Sequence, residues 1–216
     1  MLSAIKINEA FLRAKQGNMK EAESDLKWAL GVERSLWSED HPSITRTLWH
    51  VAKVQTLQDD EGPEAVATWT EVLGRKDLEA NRRAGANADL ATVLFRMKRY
   101  AEAASAYETA LAIFETLPKT DPETLVATFA NLGLLYIYWA DDTEGKAEKY
   151  AKAEDALKKG LHVVDQGSTP IQAQITIFGV YSLLLERTDR HEAAARLSDR
   201  VGLLKNGPPV VLAPRR

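Results

Sequence analysis

Apolar residues recur along this chain at the three- and four-residue spacing of amphipathic helices, in segments broken by short polar turns. No strand-like alternation competes before the last few residues, so the pattern predicts an all-α protein. Small residues recur at one phase of these helices. Reading the chain as alternating A and B helices, the A-helix small residues are Ala10, Ala52, Ala91, Gly133 and Gly179, spaced by 42, 39, 42 and 46. Those of the B helices are Ala22, Ala65, Ala103, Ala153 and Ala193, spaced by 43, 38, 50 and 40. A small side chain lets two helix backbones approach where they cross, while larger apolar residues fill the flanking grooves. Five hairpins are therefore expected, over about 3–38, 39–78, 79–119, 120–168 and 169–205. Together they form a repeat domain over 1–205, with 206–216 as a flexible C-terminal tail.

Helix-start signals agree with these limits. Asp121-Pro122 sets a side-chain acceptor before a proline whose missing N–H costs nothing in a first turn. Thr169-Pro170-Ile171-Gln172 repeats the device and adds a capping-box glutamine, and Asp40-His41-Pro42-Ser43 is a third instance. Two places depart from the period. Between the helices of the fourth unit about eight extra residues fall within 141–149, expected as a lengthened loop, with a binding face as the sharper alternative. In the second unit Asp59-Asp60-Glu61-Gly62-Pro63 replaces a tight turn, with Pro63 starting the B helix. Pro208-Pro209 stops any helix before the tail, whose Val210-Val211-Leu212 could lie on the repeats or on a neighbouring molecule.

Specific motifs sharpen the architecture. Phe129-x2-Leu132-Gly133-x2-Tyr136 follows the first-helix pattern W-x2-L-G-x2-Y of the tetratricopeptide repeat (TPR), with phenylalanine in place of tryptophan. Asn87-x2-Leu90-Ala91-x2-Leu94, then Ala103-x3-Tyr107-x2-Ala110, gives a second unit, and Ala22-x3-Leu26-x2-Ala29 a further second half. The chain thus resembles a TPR protein. Its longer period, with Glu39-Asp40-His41-Pro42-Ser43-Ile44 and Asp121-Pro122-Glu123-Thr124 ahead of A helices, is similar to the kinesin-light-chain type of TPR. The resemblance covers about Ile5 to Leu203. It implies a right-handed superhelical solenoid of antiparallel helix hairpins acting as a protein-interaction scaffold.

Composition narrows the function classes. The 216 residues, 45% hydrophobic and 27% charged, suit a folded chain. A net charge of −3 argues against nucleic acid or an anionic membrane as partner. With no cysteine, disulfides, thiolate metal sites and cysteine nucleophiles are excluded. Met1-Leu2-Ser3-Ala4-Ile5-Lys6 has neither the basic start nor the apolar run of a signal peptide. The expected location is the cytoplasm, with the periplasm left open.

No catalytic motif emerges. His191-Glu192-Ala193-Ala194-Ala195 begins like HExxH but ends on alanine, so the paired zinc histidines are missing. Glu144-Gly145-Lys146-Ala147 lacks the leading glycine and the hydroxyl of a phosphate loop. Neither catalysis, metal nor cofactor is expected.

In the resembled family the A helices line a concave groove that takes extended peptides or helices. Carried over unit by unit, the groove positions are Ile7, Asn8 and Phe11; Trp49, His50 and Lys53; Ala88, Thr92 and Arg96; Asn131, Leu134 and Tyr138; and Ile177 with Val180. Asn8 and Asn131 match asparagines that hold a partner's backbone, since an amide can donate and accept at once. Phe11, Trp49 and Tyr138 fit interhelix packing equally well. The partner expected is a protein or peptide with apolar anchors and some acidic character. The alternative is a structural self-assembly module, with self-association as its use, or a fragment of a ligand-responsive regulatory protein.

Overall fold

A computed structural model describes residues 2–58, 62–167 and 169–206. The acidic run 59–61 and the apolar tail segment 210–212 lie outside the described residues. Among those described there are ten helices and no strand. They divide into two compact units, Met1–Leu117 and Pro118–Arg216.

The first unit holds three hairpins: α1 (Leu2–Lys15) with α2 (Met19–Leu36), α3 (Pro42–Thr56) with α4 (Gly62–Leu73), and α5 (Ala80–Arg96) with α6 (Tyr100–Thr116). Successive hairpins join through the B helix of one and the A helix of the next, α2 on α3 and α4 on α5. Ile7, Ala10, Ala22, Leu26 and Ala29 form one core cluster with Val51 and Val54 of the following hairpin. A second gathers Leu30, Ile44, Leu48, Ala52, Ala65, Trp69 and Val72 with Ala86 and Val93. Burying a side chain such as Leu48 contributes roughly 1.5–3 kcal/mol. Trp69, fully buried, donates its indole N–H to Thr56 Oγ1 at 2.8 Å, so its one polar group is satisfied. The α2–α3 contact also holds a polar clamp: the buried Glu23 carboxylate accepts from Gln55 Nε2 at 2.7 Å and Gln58 Nε2 at 2.8 Å.

The second unit pairs α7 (Pro122–Asp141) with α8 (Lys146–Asp165), and α9 (Ile171–Arg187) with α10 (His191–Asn206). A Cβ on Gly133 would meet the Leu157 side chain at 2.7 Å, which is the close A–B approach that the small-residue pattern anticipates. The eight extra residues of this hairpin do not form a long loop. Only 142–145 connect the helices, and α7 and α8 each run to 20 residues against 17 for α5 and α6. Helical hydrogen bonding satisfies the added backbone internally, which an extended loop would leave to water.

Three A–B turns share one backbone shape. Gly17, Lys98 and Asp189, each two residues before a B helix, have φ of 84°, 58° and 57°. The next amide bonds back to the carbonyl five residues earlier: Asn18 to Arg13, Arg99 to Leu94 and Arg190 to Leu185. This is the Schellman closure, natural to glycine and tolerated here by lysine and aspartate.

The structure corrects three details. The α3 N-cap is His41, whose Nδ1 accepts from the Ser43 amide at 3.2 Å. At α9 no capping box forms: Pro170 is the N-cap, and Gln174, not Gln172, turns back to the Thr169 carbonyl. The fifth unit is also out of register with the sequence reading. Gly179 is exposed with open space around it, and Ala193 is exposed, whereas Ser182 and Ala194 are buried and hydrogen-bond across the α9–α10 crossing at 3.1 Å. The small pair is Ser182–Ala194, three residues and one residue further on, at the same separation of twelve found between Ala91 and Ala103. Asp121 does cap α7 as expected, accepting from the Thr124 amide at 3.0 Å.

Two substitutions check this register. A Cβ at Gly160 would sit 2.3 Å from Ile177 Cδ1 and 2.9 Å from Phe129 Cβ. Gly160→Ala should therefore destabilise by about 1–3 kcal/mol in urea unfolding, through overpacking. Gly179→Ala, in open helix interior, should stabilise by about 0.5–1 kcal/mol; a loss of stability there would restore the original register.

Candidate binding surface

Counting from each crossing residue, the A-helix positions two before, one after and five after it make up the candidate column. In the first unit, the position one after on one A helix touches the position two before on the next. Phe11 of α1 meets His50 of α3 edge-to-face, ring centroids 4.7 Å apart. Lys53 of α3 meets Asp89 of α5, Nζ to Oδ2 at 2.9 Å. The same geometric contact is thus made once by aromatic rings and once by an ion pair.

His50 is half-buried. Burial pushes its imidazole below the ordinary 6.5, with the Arg46 and Arg82 charges adding to the shift. Burial conversely raises the Asp89 carboxyl, against the opposing pull of Lys53. Arg96 is exposed at the far end of α5 and donates to the Thr56 carbonyl of α3. Asn8 is exposed on α1. Phe11, His50, Lys53 and Arg96 therefore share one face with Asn8.

Two expected residues turn inward instead. Trp49 is half-buried, edge-to-face on Trp69 at 5.0 Å, with its ring 3.3 Å from where a Gly85 Cβ would stand. It is interhelix packing. Thr92 spends its hydroxyl on the Ala88 carbonyl at 3.0 Å and on the Tyr107 phenol at 2.8 Å, whose pKa burial pushes up to about 12. Asp89 was not among the expected residues. The spacing that selects Asn8, His50 and Asn131, two before the crossing residue, selects it too; Ala88 stands one place earlier.

In the second unit Asn131 and Leu134 are half-buried on α7 and Tyr138 is 48% exposed. Among the described residues neither Asn8 nor Asn131 has a side-chain hydrogen-bond partner. Ile177 does not belong with them. It is fully buried, packed on Gly160, a consequence of the shifted register. Recounted from Ser182, the corresponding α9 positions are Val180 and Leu183, both half-buried.

A second feature of this unit is a concavity of about 500 Å³ lined by Lys146, Tyr150, Glu154, Arg187 and Arg190 among others, of which Lys146 falls in the 141–149 stretch where a binding face is the alternative expectation. Glu154, Arg187 and Arg190 are paired. Glu154 accepts two bonds from Arg190 at 3.0 Å, with Lys158 and Tyr181 also on the carboxylate at 3.1 Å. Arg190 first, then Lys158 and Tyr181, outweigh partial burial and hold its pKa down at about 2. Asp141 accepts from Tyr150 at 2.6 Å and Arg187 at 2.9 Å. Partial burial opposes them, yet these bonds keep its carboxyl below the ordinary range. Among the described residues no three His, Asp or Glu side chains form a cluster able to hold a metal ion, and no helix is long and apolar enough to cross a membrane.

No family model matches the sequence, and no curated protein does. Solved structures do match. The chain is similar to a putative kinesin light chain with nearly identical TPR-like repeats from Podosopora anserina (TM-score 0.75, 16% identity, covering 95% of this chain and 96% of that one). It is also similar to BtubC (BKLC) from P. vanneervenii (TM-score 0.74, 19% identity, 96% and 81%). A third likeness is to MamA from Desulfovibrio magneticus RS-1 (TM-score 0.64, 18% identity, 96% and 97%). The protein has the TPR-like helical-repeat fold.

Two titrations follow from these environments. His50 should titrate by NMR with a midpoint below 6.5, and Arg82→Ala should move that midpoint up. Because its folded pKa is depressed, stability from keeping His50 neutral is lost as pH falls from 6.5 through the folded value. Glu154, depressed from 4.5 to about 2, contributes stability above pH 4.5 that is lost between those values. Glu154→Gln should therefore lower Tm at pH 7 and flatten its fall between pH 4.5 and 2; an unchanged acid limb would show that the network contributes nothing.

Proposed function

We propose that this protein is a non-enzymatic scaffold that binds an extended peptide or a helix of a protein partner on its A-helix face. The supporting observation is the column that recurs on α1, α3 and α5. It presents Asn8, Phe11, His50, Lys53 and Arg96 together in the first unit; within the other unit, Asn131, Leu134 and Tyr138 hold the corresponding positions of α7. Free amides at Asn8 and Asn131 suit a partner's backbone, which needs donor and acceptor from one group. Phe11 and Tyr138 offer part-exposed rings as anchors, the residue type that dominates binding energy at interfaces.

Lys53 is already matched by Asp89, so the expected preference for acidic peptides rests on Arg96 and weakens accordingly. A mixed apolar and amide recognition fits the face better. The repeat fold of the solved relatives supports a scaffold role, because a stack of hairpins offers a long continuous surface without a catalytic cleft.

The test compares partners recovered on the immobilised protein with those recovered on an Asn8→Ala/Phe11→Ala variant, identified by mass spectrometry and then titrated individually. Both positions are part-exposed, so the fold should survive, as circular dichroism will show. The variant should bind the recovered partner at least about tenfold more weakly, the cost of losing one anchor. Equal affinity would reject the A-helix face. Trp49→Ala is unsuitable for this purpose, because loss of its packing on Trp69 would confound the result.

A further inference from the structure

One B helix starts a full turn earlier than the others. In α2, α4, α6 and α10 the buried small residue (Ala22, Ala65, Ala103 and Ala194) is the fourth of its helix; in α8 it is Ala153, the eighth. The added turn, residues 146–149, overhangs the A–B turn of the next hairpin, residues 188–190, and the step between them is the concavity of about 500 Å³. That volume lies within the roughly 300–1,000 Å³ of ligand pockets. One face of α8 lines it, with Lys146, Ala147, Tyr150, Ala151 and Glu154 at helical spacing, and residues 187–190 form the opposite wall. Both walls belong to the second unit, and no other hairpin has such an overhang among the described residues.

Two cations of this site are not used up by the fold. Arg187 bonds Asp141 through Nε alone, at 2.9 Å, and its two Nη groups have no partner among the described residues. Lys146 has neither a hydrogen bond nor an ion pair there. Both act on one carboxylate: partial burial raises the Asp141 carboxyl, but the bonds from Tyr150 and Arg187 and the nearby charge of Lys146 hold it low. Asp141 thus fixes Arg187 by its inner nitrogen and leaves the outer edge of the guanidinium, two parallel N–H groups, open to a planar two-oxygen anion. Arg190 differs, because both its Nη groups are spent on Glu154. We propose that this concavity binds a carboxylate-bearing ligand, its two oxygens taken by the Nη groups of Arg187 with the Lys146 ammonium beside them. Glu154 and Asp189 also line the walls, so a doubly charged phosphate meets more repulsion than a carboxylate of single charge. Ala147 and Ala151 give apolar contact to the carbon atoms behind the carboxylate. A free small acid and a peptide chain end both present this group, and the test separates them. The site does not rest on the A-helix face, since none of its lining residues belongs to that column, and either can fail without the other.

The isotope-labelled intact chain is titrated by NMR at neutral pH and constant ionic strength, each probe reaching about 50 mM. The probes are sodium acetate, acetyl-alanyl-alanine with its free carboxylate, the amide of that peptide, and inorganic phosphate. Acetate and the free-acid peptide should shift the amides of 146–151 and 187–190 saturably, and the peptide amide should not. Tighter binding of the peptide than of acetate assigns the site to chain ends; equal binding assigns it to small acids. Lys146→Gln removes a side chain with no partner, so the fold should stay intact while the dissociation constant rises about fivefold. Arg187→Lys keeps a cation beside Asp141 but loses the fork, and should weaken binding at least about tenfold. No saturable shift, shifts scattered over the whole surface, an equal response to the peptide amide, phosphate binding tighter than acetate, or unaltered affinity in either variant would each overturn the proposal.

Discussion

Where each A helix packs on its B helix, small residues are buried between them, and at Gly133 even a Cβ would meet the Leu157 side chain at 2.7 Å. Ala10 and Ala22, Ala52 and Ala65, Ala91 and Ala103, Gly133 and Ala153, and Ser182 and Ala194 are the small residues assigned to the five hairpins, and all ten are buried. Everything else follows from that approach. It fixes the rotation of each A helix, and rotation decides which side chains meet the B helix, which meet the neighbouring hairpin and which remain outside. The binding column and the face beneath α2 are both set by angular distance from the crossing residue. A larger side chain there would turn the helix as well as strain the core.

Most of the fold was legible because this constraint writes a regular signal. Four crossings out of five stood at the expected residues. The fifth was misplaced because Gly179, an exposed glycine, imitates the signal that Ser182 carries in fact; small size alone does not distinguish a close contact from open space. Ile177 then inherited the error. The candidate surface was less legible than the fold. A position in a helix column follows from spacing, but whether Lys53 is spent on Asp89, or Thr92 on Tyr107, depends on pairs 36 and 15 residues apart. Asp89 stands two residues before Ala91, the same spacing that Asn8 and His50 keep from Ala10 and Ala52.

Length was harder to read than phase. Extra residues between two helical patterns look the same whether they form a loop or extend both helices, and helix 7 and helix 8 take the second course. The extension has a use. It carries Asp141 and Tyr150 to the ends of their helices, where Arg187 of α9 joins them. Glu154, a turn further along, holds Arg190 beside the α9–α10 turn. Two such pairs tie the second unit's hairpins together outside the apolar core. Each is partly solvated, so their contribution is felt more in the pH range of stability than in its maximum.

The order in which hairpins touch also bears on how the chain acquires its structure. Within the first unit the strong contacts join only helices that are neighbours in sequence, α1 with α2, α2 with α3 and so onward. No element has to wait for a distant segment, and loop-closure entropy stays small at every step. During synthesis α1 and α2 can close as soon as both exist, and Val51 and Val54 complete their cluster when α3 follows. Each hairpin then supplies the surface on which the next one settles, so folding can keep pace with translation instead of awaiting the finished chain.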